Sequence, residues 1–147
     1  EMALSADFMV VAEEAKLRFP EVSLGTFVGG GTVYTLTERV GTLKARELLY
    51  LGDFFRGGEA AGMGLAWKAV PAEEVLSTAL ELAARLAERA PRSLDWAKRL
   101  VGPAGTMSRG RAMALEERAL AELFGTRDWQ EGVDAFHEDR PPKFTGE

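Results

Sequence analysis

The residues best suited to chemistry lie between Phe19 and Gly31, in the stretch FPEVSLGTFVGGG. Glu21 directly follows Pro20, a short apolar run holds Val22, Leu24, Phe27 and Val28, and Gly29, Gly30 and Gly31 lead into a helical pattern. Glycine has no Cβ and tolerates positive φ, so such a turn lets backbone N–H groups come close to a bound ligand. The carboxylate beside it is a group that can hold or move a proton. The turn is no phosphate-cradling P-loop, because Gly31 is followed by Thr32 and Val33 with no Gly-Lys-Ser/Thr. One acid beside one turn remains a weak signal until a second acid joins it.

Composition removes other chemistries. The 147 residues contain no cysteine, which excludes disulfides and thiolate metal sites, and the single His137 leaves no multi-histidine metal site. His137 falls in a charged final helical pattern and is expected at the surface or an interface. A net charge of −5 argues against nucleic acid or an anionic membrane as partner. No apolar run approaches the roughly 20 residues of a membrane-spanning helix, so a soluble, cytoplasmic protein is expected. With 46% hydrophobic residues the chain can build a core, and Trp67, Trp96 and Trp129 are expected in core or interface packing.

The elements that must position these residues read as follows. EMALSAD, residues 1–7, has the pattern of a helix interior with no capping residue before it, so the chain is expected to begin inside an element with partner structure upstream. FMVVA, residues 8–12, reads as a strand buried on both faces, followed by a polar turn over 13–16. After the glycines, Val33, Leu36 and Val40 share one helical face, Gly41 is a stop, and a second helix covers 42–51. A short extended piece over 53–56 and a glycine-rich helical turn over 57–64 precede LAWKAV, a second strand candidate closed by Pro71. Beyond it everything reads helical: 72–90 with Glu73 and Glu74 in the first turn, a helix opened by Pro91, a long one over 107–124, and a last one capped by Thr126 with Asp128 in its first turn, running to about Asp139. Two or three short strands against some six helices cannot satisfy their own backbone groups, so the sheet must be completed elsewhere.

Four segments, in order and spacing, resemble the C-terminal half of the enoyl-CoA hydratase/isomerase (crotonase) superfamily. Glu1, Met2, Ala3, Leu4 and Asp7 match its ELA-type helix, and Leu17 to Gly25 its F-x-x-P-E-x-x-L-G segment, with Leu17 in place of phenylalanine. Gly52, Glu59, Ala60, Gly64, Leu65, Val70 and Pro71 fit its G…E-A-x-x-x-G-L-V…V-P stretch, with Ala66 in place of valine; Glu131, Gly132, Ala135, Phe136, Glu138, Arg140, Pro142 and Phe144 resemble its E-G-x-x-A-F ending. The glycine turn departs from the family's P-G-x-G-G, with Val28 for proline and Thr32 for glycine, and Tyr34 and Thr35 replace its Gln-Arg pair.

The resemblance implies an α/β fold of stacked ββα turns, the crotonase spiral, partial here over 1–71, followed by a helical trimerisation region over 72–147. It implies an acyl-CoA thioester substrate, no cofactor beyond the coenzyme A of that substrate, and no metal. It further implies a homotrimer or dimer of trimers, and oxyanion donors supplied by an N-terminal half that this chain does not hold, which makes the chain alone inactive. Its two catalytic carboxylates fall on Glu1 and Glu21, 20 residues apart. Two acids in a closed apolar site can divide the work of hydration, because burial and mutual repulsion raise at least one pKa. The carry-over gives water activation to Glu1 and α-proton delivery to Glu21, acting as a coupled pair. Leu24, Gly25, Phe27, Gly29 and Gly30 become pocket wall, and Lys143 and Phe144 contacts to coenzyme A. The expected activity is enoyl-CoA hydration, a lyase reaction of fatty acid metabolism. The alternatives are another crotonase-type reaction (isomerase, hydrolase or decarboxylase), or a non-catalytic helical oligomerisation module.

Overall fold

The computed structural model describes residues 1–147, the side chain of Ala104 excepted. It divides into two compact units, Glu1–Glu81 and Leu82–Glu147, a division that falls later than the boundary expected after Pro71.

In the first unit, four short strands make two separate pairs: β1 (Val10–Ala12), β2 (Lys16–Leu17), β3 (Phe55–Arg56) and β4 (Lys68–Val70). β1 and β4 run parallel with Val11 opposite Ala69, while β2 and β3 run antiparallel with Leu17 opposite Phe55. Both strand candidates are therefore shorter than FMVVA and LAWKAV. Phe8 and Trp67, their outer residues, turn to each other edge-on with ring centroids 6.0 Å apart and stay half-exposed. Parallel strands need a crossover, and here it carries α1 (Thr32–Leu51) and α2 (Gly57–Gly62).

α1 is interrupted at Gly41, whose φ of 76° and ψ of 162° are not helical, so the expected stop is a kink between two helical runs. Leu36 on its first run is fully buried and Val40 half-buried, but Val33 is exposed: the inward stripe starts one turn later than the spacing predicted. Leu36, Leu48 and Leu49 pack with Leu4, Val11, Phe19, Phe55, Ala60 and Leu65 into one cluster. Truncating a side chain as enclosed as Leu36 to alanine costs roughly 2–5 kcal/mol. α2 begins where the chain crosses β1. A Cβ on Gly57 would lie 1.9 Å from the Ala12 carbonyl oxygen, so only glycine fits this crossing.

The opening segment differs from expectation. Ala3–Ser5 form one 3-10 turn, not a helix interior, closed by the amide of Leu4 donating to the carbonyl of Glu1 at 3.2 Å. A second 3-10 turn, Glu21–Leu24, ends at Gly25.

The second unit is helical. α3 (Val75–Ala87) leads into it; α4 (Pro91–Val101), α5 (Arg109–Leu123) and α6 (Arg127–His137) follow. Thr126 caps α6 as expected, its hydroxyl accepting the amide of Trp129 at 3.1 Å. Of the three tryptophans only Trp96 is buried, under the guanidinium groups of Arg99 and Arg118. Trp129 lies against Phe124, ring centroids 4.7 Å apart, and remains half-exposed.

Candidate functional site

The first unit brings Glu1 to the glycine turn. Its Oε1 accepts the backbone N–H of Gly29 at 2.7 Å, across 28 residues of sequence. Gly30 and Gly31 have φ of 59° and 81°, the left-handed region that L side chains avoid. This reversal sets the Gly29 amide outside the helix, before Thr32 opens α1. The amide of Thr32 donates back to the carbonyl of Gly29 at 3.0 Å and closes the turn. The Glu1–Gly29 bond at 2.7 Å is charge-assisted and among the stronger kinds.

Glu21 stands at the head of its 3-10 turn and is half-buried. Its Oε2 is buried and has no hydrogen-bond partner. A buried carboxylate oxygen left without a donor costs stability, so folding alone does not account for an acid at this position. Leu24 and Phe27, named as pocket wall, are exposed, while Gly25 closes the turn and Val28 is half-buried.

Lys143 and Phe144 belong to the second unit, in an extended segment beside α6. The amide of Lys143 donates to Glu131 at 2.7 Å, and the ring of Phe144 lies 3.6 Å from where a Cβ on Gly132 would stand. Arg140 grips the same Glu131 carboxylate with both terminal nitrogens, at 2.6 and 2.9 Å. That grip, with the Lys143 amide second to it, holds the Glu131 pKa down at about 2. One turn earlier the buried Asp128 accepts the amides of Thr145 at 2.7 Å and Gly146 at 2.9 Å. Two acids at adjacent turns of α6 therefore clasp the last residues. In the sequence Asp128 shows only as a first-turn acid and Glu131 has no visible link to the tail, since spacing alone cannot show which amides a carboxylate meets.

A cavity of about 560 Å³ in this unit is lined by Leu120, Phe124, Trp129, Val133, Phe136 and Phe144 among others. His137 is exposed beside Phe136. Among the described residues no cluster of three or more metal-ligating side chains forms, and no helix is long and apolar enough to cross a membrane.

With this geometry in place, the likeness to known proteins becomes specific. A family model described as enoyl-CoA hydratase/isomerase matches residues 1–147. A probable enoyl-CoA hydratase of Bacillus subtilis (strain 168) is 36% identical over 148 residues, covering 100% of this chain and 57% of that protein. A crotonyl-CoA hydratase of Syntrophomonas wolfei is 34% identical over 144 residues, covering 98% of this chain and 55% of that protein. The crystal structure of a probable enoyl-CoA hydratase/isomerase from Mycobacterium abscessus superposes with a TM-score of 0.92 at 37% identity, covering 99% of this chain and 57% of that one. The crotonase-like α/β fold is thus present, and the chain spans about half the length of the curated relatives it matches. Those overlaps do not bear out the expectation that this half is the C-terminal one; the family assignment rests on the family model over residues 1–147 and on the identity of the relatives. The chain belongs to the enoyl-CoA hydratase/isomerase family.

Proposed function

We propose that the protein containing this chain hydrates the conjugated double bond of a 2-enoyl-CoA thioester. Glu1 takes a proton from water as the water oxygen bonds to the β-carbon. The π-electron pair moves toward the thioester oxygen, and Glu21 delivers its proton to the α-carbon as the enolate collapses. The balance is one water gained and one double bond lost; proton exchange between the two acids and solvent restores the starting state. Backbone N–H groups that stabilise the thioester oxygen come, in this reading, from the part of the family's fold outside these 147 residues, which also completes the two short sheets. The chain alone is then inactive.

The observation that carries the reading is the Glu1–Gly29 hydrogen bond at 2.7 Å, which ties the first acid to the turn that follows the second. The buried, unpartnered Oε2 of Glu21 supports it. Leu24, Gly25, Phe27, Gly29 and Gly30 wall the acyl site, and Lys143 and Phe144 contact coenzyme A. Residues 72–147 build a homotrimer or dimer of trimers through apolar surface such as Leu120, Phe124, Trp129 and Phe136, which the second unit leaves exposed. The protein acts in the cytoplasm.

The test is hydration of crotonyl-CoA by the full-length protein, followed as loss of the conjugated thioester's ultraviolet absorbance. Full activity in Glu21→Gln would sink the proposal. Double-bond isomerisation is the second reading, favoured by the unpartnered Glu21 oxygen, since one acid can both take and return a proton. Product analysis on a 3-enoyl-CoA separates the two.

A further inference from the structure

Arg39 makes no direct contribution to the chemistry proposed above, yet its guanidinium spends its donors on three backbone carbonyls from distant parts of the first unit. Nη2 donates to the carbonyl of Leu4 at 3.1 Å and of Ala6 at 2.5 Å; Nη1 donates to that of Leu65 at 3.3 Å. Leu4 and Leu65 are both core residues, so the head group sits at the edge of the apolar cluster and closes it.

These bonds complete a ring. The amide of Leu4 donates to the carbonyl of Glu1, which fixes the backbone of that acid in the 3-10 turn. The carbonyls of Leu4 and Ala6, which such a turn leaves without an intrahelical donor, are taken by Arg39. Arg39 lies on the first run of α1, about 10 Å along the axis from Thr32 at 1.5 Å per residue. Just before Thr32 stands Gly29, whose N–H grips the Glu1 carboxylate. Glu1 is thus held at its side chain by the glycine turn that precedes α1 and at its backbone by Leu4, whose own carbonyl Arg39 of α1 fixes. The Gly41 kink ends this helical run two residues after Arg39.

Resting on the hydratase reading, we propose that Arg39 is the positioning residue for Glu1, aligning its carboxylate with the glycine turn through the carbonyls of Leu4 and Ala6. The rigid planar fork matters here: lysine offers a point charge that cannot span Leu4, Ala6 and Leu65 together. Sequence pattern carried a trace of this, because Arg39 sits three residues after the fully buried Leu36, on the inward stripe.

The test uses the full-length protein with Arg39→Met and Arg39→Lys, and Arg46→Met, on the exposed side of the same helix, as control. With crotonyl-CoA, both Arg39 variants are expected to lose about 10- to 100-fold in kcat while KM moves by less than about threefold, the signature of a misplaced group and not of lost binding. Amide exchange at Gly29 is expected to rise at least about tenfold, because its acceptor is no longer held in place. Added guanidinium ion is expected to recover part of the kcat of Arg39→Met but not of Arg39→Lys. If Arg39→Met fails to fold, by circular dichroism, Arg39→Lys decides alone. Parental kcat with parental Gly29 protection in a folded variant overturns the proposal, as does lost kcat with Gly29 still protected. A parent protein that hydrates no enoyl-CoA defeats the hydratase reading instead; the Gly29 exchange then decides separately whether Arg39 anchors Glu1.

Discussion

Glu1 Oε1 accepts the amide of Gly29 at 2.7 Å, joining the first residue of the chain to a turn 28 positions away. The amide points at Glu1 because Gly30 and Gly31 both adopt left-handed φ and reverse the chain before α1. Replacing Gly29 itself by alanine keeps the N–H, and its Cβ would meet no atom within 4 Å. Gly29→Ala is therefore expected to retain stability and most activity. Gly31→Ala, at φ 81°, is expected to lose about 1–2 kcal/mol in urea unfolding. Equal stability of the two variants would contradict this account of the turn.

Glu21→Gln in the full-length protein is expected to lower kcat for hydration by roughly 10² to 10⁴, the usual contribution of a positioned acid. Because Oε2 of Glu21 is buried without a donor, the same variant should melt no lower than the parent. A variant that is both inactive and markedly less stable would point to a structural role for Glu21.

Gly57→Ala is expected to destabilise the first unit by about 2 kcal/mol or more, since a Cβ 1.9 Å from the Ala12 carbonyl oxygen forces β1 and α2 apart. Gly62→Ala, with open space around its Cβ, is the control and should leave thermal melting unchanged.

The Glu131–Arg140 grip makes the second unit acid-sensitive. Its folded pKa of about 2 lies below the ordinary 4.5, so the contribution is fully present above pH 4.5. As pH falls from 4.5 toward 2 the unfolded chain takes up the proton that the folded one refuses, and the contribution is lost. Glu131→Gln is expected to show a shallower fall in Tm across that window than the parent. Parallel profiles would contradict it.

Asp128→Ala is expected to release the end of the chain, at a cost of about 2 kcal/mol for the amides of Thr145 and Gly146 left without an acceptor. Amide exchange at those two residues should accelerate while that of α4 stays slow.

Much of this was legible in the residues. Local signals act over three or four positions, and they placed the Gly41 interruption, the Pro91 start, the Thr126 cap and the glycine turn correctly. The four matching segments sufficed to name the family. Strand lengths were not legible, because a strand ends where its partner ends, and β1 meets β4 only over three residues. Nor was the exposure of Val33, which shares Leu36's face by spacing yet lies beyond what the core covers. The opening residues have helical composition, but one 3-10 turn closed by the Glu1 carbonyl and capped by Arg39 prevails.

By itself, then, the sequence determined which residue types are available for acid–base chemistry, where the backbone must reverse and to which family the chain belongs, since these follow from residue type and short-range order. Only the tertiary structure decided what those groups meet. That Glu1 is held by Gly29, that Arg39 fastens its turn and that Asp128 and Glu131 clasp the chain's end are contacts between distant positions, and that Glu21 keeps a bare oxygen is a result of burial. No spacing rule encodes them; they exist because packing within each unit brings its own segments within hydrogen-bond reach.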